Sequence, residues 1–208
     1  ILYKEIRQGI VDNLENILEI PNPLSCTVRL RQLTGGVFGD DNPKLERVKD
    51  MLEEITESGH KALIFSQWEQ VTSVYKEALK AYNPAYIVGA VDPEDRQKEV
   101  DRFQNDPTCK VAIGTIGAMG TGLTMTAASY VFFVDKRYWD AENKQAEDRA
   151  HRIGTTNTVN VVSLVATNTV DEGIEEMLGD NRALFDRVVE GKGSRVDVGE
   201  ILRKILQY

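Results

Sequence analysis

The feature that most constrains the fold of this chain is a regular alternation between short apolar runs and helical segments. Five runs are rich in Val, Ile, Phe and Tyr, which is typical of strands buried on both faces: 61–66, 85–89, 110–115, 130–135 and 159–166. Between them lie segments with apolar side chains at helical spacing, at 43–58, 69–82, 93–105 and 143–153. This alternation predicts an α/β domain with a mostly parallel sheet and helices on both faces.

The two ends of the chain differ from this central region. Residues 1–42 contain two helix-like pieces, around 6–20 and 27–33, and then a loop rich in glycine. Residues 171–190 have the apolar spacing of a helix or a broken helix. Its candidate buried side chains are Ile174, Met177, Leu178, Leu184 and Val188. We therefore expect a helical segment that leads into a lobe, the lobe itself, and brace-like C-terminal helices, at 1–42, 43–170 and 171–208.

Composition and charge limit the function classes. The 208 residues are 41% hydrophobic and 28% charged, as in ordinary globular proteins. Cys26 and Cys109 are far apart and lack metal-ligand spacing, so we expect no metal site and no disulfide framework. Without a signal peptide or a run of about 18 apolar residues, the chain is expected inside the cell, away from membranes. That location is the cytoplasm for a prokaryotic or viral source and the nucleus for a eukaryotic one.

The net charge of −8 bears on nucleic-acid binding. Domains that coat nucleic acid electrostatically are usually strongly basic. Any contact between this chain and DNA should therefore be local.

The stretch QAEDRAHRIG places two arginines three positions apart. On a helix, Arg149 and Arg152 project from nearly the same side, so both guanidinium groups can reach one phosphate. Taken alone, the pair has a second interpretation, a solvated helix face that pairs with Glu147 and Asp148. The glycine-rich segment 114–122 is equally open between a phosphate site and a tight turn. No glycine-rich loop ends in Lys followed by Ser or Thr, so the chain should not hold a nucleoside triphosphate alone.

Four segments, in this order, resemble the motifs of one family. KALIFSQW resembles its fourth helicase motif, and IVGAVDPEDRQKEVDRF the glycine, arginine and phenylalanine pattern that follows it. IGTIGAMGTGLTMTAAS is similar to the fifth motif, and QAEDRAHRIG is similar to the sixth. Over roughly residues 30–191 the chain thus resembles the second RecA-like lobe of the Swi/Snf-related ATPases, the DNA-translocating branch of helicase superfamily two.

The resemblance implies a RecA-like three-layer sandwich with helical extensions at both ends. It also implies ATP with Mg²⁺, bound mainly by a first RecA-like lobe of the same protein. We expect the present chain to be one part of such a two-lobe enzyme and to be inactive in ATP hydrolysis alone. Apolar side chains of the helix at 171–190, such as Met177, Leu178 and Leu184, would dock against the first lobe.

The resemblance assigns roles at the nucleotide. Arg149 and Arg152 would be arginine fingers that reach across a cleft to the γ-phosphate of ATP. Asp148 would orient an arginine, and His151 would be structural rather than catalytic. Two glycines of the fifth motif would let the backbone approach a ligand closely, or would simply be turn glycines. The residues assigned to nucleotide binding are Gln145, Asp148, Gly120 and Gly122.

The loops after the first three strands are expected to face double-stranded DNA. Hydroxyl groups and exposed amides can bond phosphate oxygens without reading base identity, as a motor on any sequence requires. The predicted contacts are Ser66, Gln67, Gly89, Thr115, Gly117 and Thr124. Met119 and Thr124 depart from the family's fifth motif, and Tyr138, Trp139 and Asp140 stand where the family usually has Trp-Asn-Pro.

Two other interpretations remain open. A superfamily-two RNA helicase would share the fold and the arginines, although Asp148 and His151 stand where such helicases usually carry glycines. A non-catalytic interaction module would share the fold without the motor, and the intact arginine pair argues against that loss.

Overall fold

In the computed structural model of the protein, the described residues are 23–37, 42–120, 122–151 and 158–189. Within them, side chains are described for 27–37, 42–120, 122–151 and 158–179. The strands are β1 (Lys61–Ser66), β2 (Ala85–Ile87), β3 (Val111–Thr115), β4 (Ala128–Phe133) and β5 (Asn160–Ser163). The helices are α1 (Pro23–Thr34), α2 (Pro43–Glu57), α3 (Glu69–Ala78), α4 (Pro93–Asn105), α5 (Ile116–Met119), α6 (Asp140–Glu147) and α7 (Val170–Val189), with a 3₁₀ turn at Lys80–Tyr82.

The five strands form one parallel sheet in the order β2-β3-β1-β4-β5. The predicted α/β fold with a parallel sheet is confirmed. Ser66 is in register with Thr115, and Phe65 with both Gly114 and Phe133. The carboxyl ends of β1, β3 and β4 therefore meet at one edge, which is where ligands of such sheets bind.

Two separate apolar layers make the sheet the middle of a three-layer sandwich. Alternate side chains of β1 enter opposite layers, with Leu63 and Phe65 in one and Ala62 and Ile64 in the other. Apolar side chains of α4 and α6 complete the first layer, and those of α2 and α3 complete the second. Burying one Val, Leu, Ile or Phe side chain contributes about 1.5–3 kcal/mol to the free energy of unfolding. These two layers therefore provide the main stabilisation of the fold.

Helix α2 shows how local sequence fixes an element. Asn42 caps its N-terminus, where the side-chain Oδ1 accepts a hydrogen bond from the Leu45 amide at 3.1 Å. Pro43 occupies the first turn, where its missing N–H leaves no helical bond unmade. The apolar residues predicted to face the core are all buried: Leu45, Val48, Leu52 and Ile55.

Several predicted boundaries were wrong. The segment 69–82 is not one helix, because α3 stops at Ala78 and the chain turns through Asn83 with a left-handed φ of 49°. Helix α6 runs over Asp140–Glu147 rather than 143–153. Strand β5 is not buried on both faces, because it is an edge strand and Val161 is 43% exposed. The predicted runs extend up to three residues beyond the ends of the strands that form.

The ends of the chain fit the prediction in part. Helix α1 covers the helix-like piece predicted at 27–33, and α7 is a single helix rather than a broken one. Ile174, Met177 and Leu178 are 2%, 6% and 5% exposed, so their predicted burial is confirmed, whereas the expectation that Met177 and Leu178 are exposed for docking against another lobe is wrong. They are already covered within the chain. The piece predicted around 6–20 and the side chains of Leu184 and Val188 lie outside the described residues.

The predicted division of the chain into the segments 1–42, 43–170 and 171–208 stays a prediction.

Among the residues described, no helix is long and apolar enough to cross a lipid bilayer.

Candidate functional site

A buried carboxylate organises the edge at which β1 and β4 end. Asp135 is 5% exposed and accepts hydrogen bonds from the Ser66 hydroxyl at 2.5 Å and the Gln67 amide at 2.7 Å. The Ser66 Oγ in turn accepts from the Trp68 amide at 3.1 Å. These bonds hold the loop after β1 against the loop after β4. Ser66 is 1% exposed and its hydroxyl takes part in this network, while its predicted contact with DNA stays a prediction.

Burial raises the pKa of Asp135 above its ordinary range, because the charged form loses its hydration. The nearby charges of Arg31 and Lys44 act in the opposite direction, as do the bonds from Ser66 and Gln67. Two cations and two donors therefore converge on one buried group. Such convergence is typical of functional sites, although structural networks also produce it.

The loop after β3 packs against an arginine from the loop after β4. Thr115 caps the short helix α5, its side-chain Oγ1 accepting from the Ala118 amide at 3.4 Å. Gly117 is exposed, and a Cβ at this position would lie 2.9 Å from the Arg137 Nη2. Arg137 also forms a 3.1 Å ion pair with Glu142. The guanidinium group of Arg137 therefore lies directly over the fifth-motif loop.

Two glycines assigned to nucleotide binding have structural reasons of their own. A Cβ on Gly120 would overlap the Ile116 carbonyl oxygen, and Gly120 closes α5. Gly122 has a φ of +71°, a conformation that other residues rarely adopt. Both observations fit turn glycines, and a role toward a ligand stays a prediction. Two of the predicted DNA contacts lie on other loops: Gly89, after β2, is exposed, and Thr124, before β4, is partly buried.

Arg149 connects the sixth-motif segment to the glycine-rich loop. Its Nε donates to the Gln145 carbonyl at 3.2 Å and its Nη1 to the Leu123 carbonyl at 3.4 Å. The Arg149 carbonyl accepts from the Met125 amide at 3.0 Å. Among the described residues, no ion pair joins Arg149 to Glu147 or Asp148. Such pairing was part of the solvated-face interpretation, and the described contacts do not contain it.

The remaining residues of this segment are placed only in part. Gln145, Asp148 and His151 are exposed, and Arg149 is partly exposed. Arg152 lies outside the described residues, so the convergence of the two arginines stays a prediction. Burial raises the pKa of Glu147, and the charges of Asp140 and Asp148 add to this effect while Lys136 opposes it.

A cavity of 370 Å³ opens beside these loops. It is lined by Gln67, Trp68, Arg137, Tyr138, Trp139 and Glu142. Trp139 is 72% exposed, which is unusual for so large an apolar side chain. Among described residues, three lining atoms are buried without a hydrogen-bond partner: Gln67 Oε1, Arg137 Nε and Tyr138 Oη. Unmatched polar atoms of this kind are few in native proteins.

Four residues of this edge were not assigned from the sequence. Asp135 is the last residue of a predicted strand, and Arg137 and Trp139 come two and four positions later, so their place at the carboxyl end of a parallel strand was a usable signal. Arg31 lies on α1, about a hundred positions earlier, and nothing in its neighbours indicates its location. In the part of the chain that the structure describes, no group of three His, Cys, Asp or Glu could hold a metal ion.

Comparison with known proteins gives a consistent result. The helicase conserved C-terminal domain family matches residues 43–154, more than half of the chain. The helicase SWR1 of Candida glabrata is 33% identical over 189 residues, which are 88% of this chain and 13% of that protein. The protein CHROMATIN REMODELING 19 of Arabidopsis thaliana is 34% identical over 174 residues, which are 78% of this chain and 23% of that protein.

The Sulfolobus solfataricus SWI2/SNF2 ATPase core, solved in complex with dsDNA, is similar in structure. It matches with a TM-score of 0.74 and 25% identity, over 98% of this chain and 46% of that one. The chain thus spans less than half of each of these relatives. This chain belongs to the helicase C-terminal domain family and is a second RecA-like lobe of the Swi/Snf-related type.

Proposed function

We propose that this chain is the C-terminal motor lobe of an ATP-dependent translocase on double-stranded DNA. A first RecA-like lobe of the same protein would hold most of the ATP and its Mg²⁺. The present chain would supply arginine fingers and contacts to the DNA backbone, and alone it would not hydrolyse ATP. The protein would act inside the cell, in the nucleus if its source is eukaryotic.

One observation carries the proposal. The loops that contain the fourth and fifth helicase motifs meet at the carboxyl edge of the sheet, and Arg149 of the sixth motif bonds to the fifth-motif loop. A site for phosphates of both ATP and DNA needs such a cluster of loops. The two relatives above are called a helicase and a chromatin remodelling protein, and the Sulfolobus core was solved with dsDNA, which supports this class of substrate.

The role proposed for Arg149 follows from its present bonds. At 3.2 and 3.4 Å, its bonds to the Gln145 and Leu123 carbonyls are long for N–H···O hydrogen bonds. Replacing these two hydrogen bonds with bonds to phosphate oxygens would therefore cost little free energy. A guanidinium group brings two parallel donors and a permanent charge, which matches the charge on a phosphoryl group during transfer. Arg152 would act with it from the same segment.

A backbone bond of Arg149 offers a route between nucleotide and DNA. The Arg149 carbonyl holds the Met125 amide, and Met125 follows Thr124, a predicted DNA contact. A shift of the Arg149 backbone that accompanies a contact with phosphate would therefore be passed to the loop before β4. ATP that contacts this lobe only when the lobes close would favour the closed state, and hydrolysis would release it.

On the DNA side, exposed backbone and side-chain dipoles would bond phosphate oxygens. The proposed contacts are Gln67, Gly89, Thr115, Gly117 and Thr124, with Ser66 fixing the loop. Arg137, over Gly117, and the exposed Trp139 add a cation and an aromatic surface at this edge. Such local contacts are compatible with a net charge of −8.

The test compares nucleic acids as activators of the full-length protein that contains this chain. We expect duplex DNA to stimulate ATP hydrolysis at least about tenfold, which corresponds to about 1.4 kcal/mol of activation free energy, and RNA to stimulate it much less. Stronger stimulation by RNA would favour an RNA helicase. No stimulation by either, together with unchanged hydrolysis in Arg152→Ala, would favour a non-catalytic interaction module.

A further inference from the structure

Arg31 is a buried cation that the helix preceding the lobe places at the candidate site. Its side chain lies on α1, outside the region 43–154 that matches the family, and it is only 1% exposed. Fully buried arginines are rare unless they are paired. No salt bridge joins Arg31 to an acidic side chain among the residues that are described. Its burial therefore needs a different explanation from an ordinary ion pair.

The guanidinium group contacts both loops that border the cavity. Its central carbon lies 4.8 Å from the Trp68 ring centroid and 4.9 Å from that of Tyr138. Its Nη2 donates a hydrogen bond to the Lys136 carbonyl. Trp68 belongs to the loop after β1, and Lys136 and Tyr138 belong to the loop after β4. A single side chain thus joins the two loops through stacking and one bond.

The guanidinium group of Arg31 is only partly satisfied by hydrogen bonds. The Nε and Nη1 of Arg31 are buried without a hydrogen-bond partner among the described residues. Unmatched donors on a buried cation are destabilising, and an apolar side chain would avoid that penalty. The buried Asp135 carboxyl nearby compensates electrostatically in part. The contacts of Arg31 therefore point to a role in holding the two loops in a fixed geometry, in addition to any contribution to stability.

We propose that Arg31 is a positioning residue for the DNA-facing edge of the lobe. It fixes the Gln67–Trp68 loop relative to the Lys136–Trp139 loop, so that Gln67, Arg137 and Trp139 meet the DNA backbone together. This inference rests on the proposed function, because it concerns the same edge. It assigns to the helix before the lobe a direct part in nucleic-acid affinity, in addition to packing.

The experiment uses the full-length protein that contains this chain and measures ATP hydrolysis against the concentration of a duplex DNA fragment. Arg31→Lys keeps the charge but loses the planar group that stacks on two rings. Tyr138→Leu removes one of the two rings and leaves Arg31 unchanged. This variant provides the test if Arg31→Lys does not fold. Arg29→Lys, an exposed arginine of the same helix, is the matched control.

We expect Arg31→Lys and Tyr138→Leu to raise the DNA concentration for half-maximal stimulation about tenfold, with less than about a twofold loss of the rate at saturating DNA. Arg29→Lys should behave like the wild type. A half-maximal concentration unchanged in both variants, with only the melting temperature or the saturated rate lowered, would overturn the inference. Stimulation of wild-type ATP hydrolysis by duplex DNA tests the proposed function separately. If the wild type shows no stimulation, neither the proposed function nor the role of Arg31 holds.

Discussion

Lys44 and Asp171 form a buried ion pair that joins helix α2 to helix α7, the last helix of the described residues. The Lys44 Nζ lies 2.5 Å from the Asp171 Oδ2, and the two side chains are 4% and 7% exposed. Lys44 also donates to the Val134 carbonyl at 2.7 Å, and Asp171 accepts from the Thr34 hydroxyl at 3.1 Å. Three helices, α1, α2 and α7, and the residue that follows β4 therefore meet at one pair of charges.

Removing one partner of this pair should be strongly destabilising. Lys44→Met leaves Asp171 buried without its cation, so we expect the free energy of unfolding to fall by about 3 kcal/mol. In Lys44→Met/Asp171→Asn the acceptor stays but the uncompensated charge is gone, and at least about 1 kcal/mol should return. Urea unfolding of the chain measures both. Strictly additive losses from the two single substitutions would show that the charges are not coupled.

Gly114 lies where β3 passes β2 at very short distance. A Cβ there would overlap the Ile87 carbonyl oxygen and lie 2.5 Å from the Met119 Sδ. Gly114→Ala should therefore lower the free energy of unfolding by about 3 kcal/mol through overpacking. Gly89→Ala is the matched control, since nothing lies within 4 Å of its added Cβ, and it should change stability by less than about 0.5 kcal/mol. Equal effects of the two substitutions would contradict the close approach.

Glu99 couples helix α4 to the edge strand β2 in a pH-dependent way. Burial opposes ionisation, but the bonds from Arg102 and from the Tyr86 amide, at 2.7 and 2.9 Å, outweigh it and lower the pKa of Glu99. Because the pKa is lower in the folded state, the stabilisation is present above the unfolded pKa of about 4.3 and is lost as the pH falls through the folded value.

The matched substitution is Glu99→Gln. At pH 7 we expect it to lower the free energy of unfolding by about 1 kcal/mol, because charge-assisted hydrogen bonds are lost. The difference from the wild type should shrink as the pH is lowered from 6 toward 3. A difference that stays constant over this range would mean that Glu99 carries no pH-dependent stabilisation.

The two tryptophans of the chain both border the candidate site, which makes intrinsic fluorescence a specific probe. Trp139 is 72% exposed, so duplex DNA bound at this edge should quench its emission. Trp139→Phe should remove most of that change, whereas Trp68→Phe should preserve it. Trp139→Ala should also weaken binding about fivefold, the effect of losing roughly 1 kcal/mol of contact between the indole ring and the DNA backbone. DNA binding with the full fluorescence change in Trp139→Phe would place the DNA elsewhere.

The sheet could be predicted because its strands are continuous β-branched and aromatic runs, so their pattern is local in the sequence. The carboxyl edge followed from the parallel topology alone. The exposure of β5 could not be predicted, because strand order decides which strand lies at the edge. The roles of Ser66 and Arg31 depended on partners 69 and 105 positions away, Asp135 and the Lys136 carbonyl. Such pairings arise only from the tertiary fold.

The most direct test of the motor-lobe assignment is the turnover number for ATP of Arg149→Ala and Arg152→Ala in the full-length protein with saturating duplex DNA. Arg47→Ala, an exposed arginine of α2, is the control. We predict that each finger substitution lowers turnover about 10³-fold while ATP binding is largely retained, because the guanidinium groups act on the transferring phosphoryl group. Turnover in both variants within about twofold of the control, an energy difference below 0.5 kcal/mol, would contradict the assignment of these arginines as fingers.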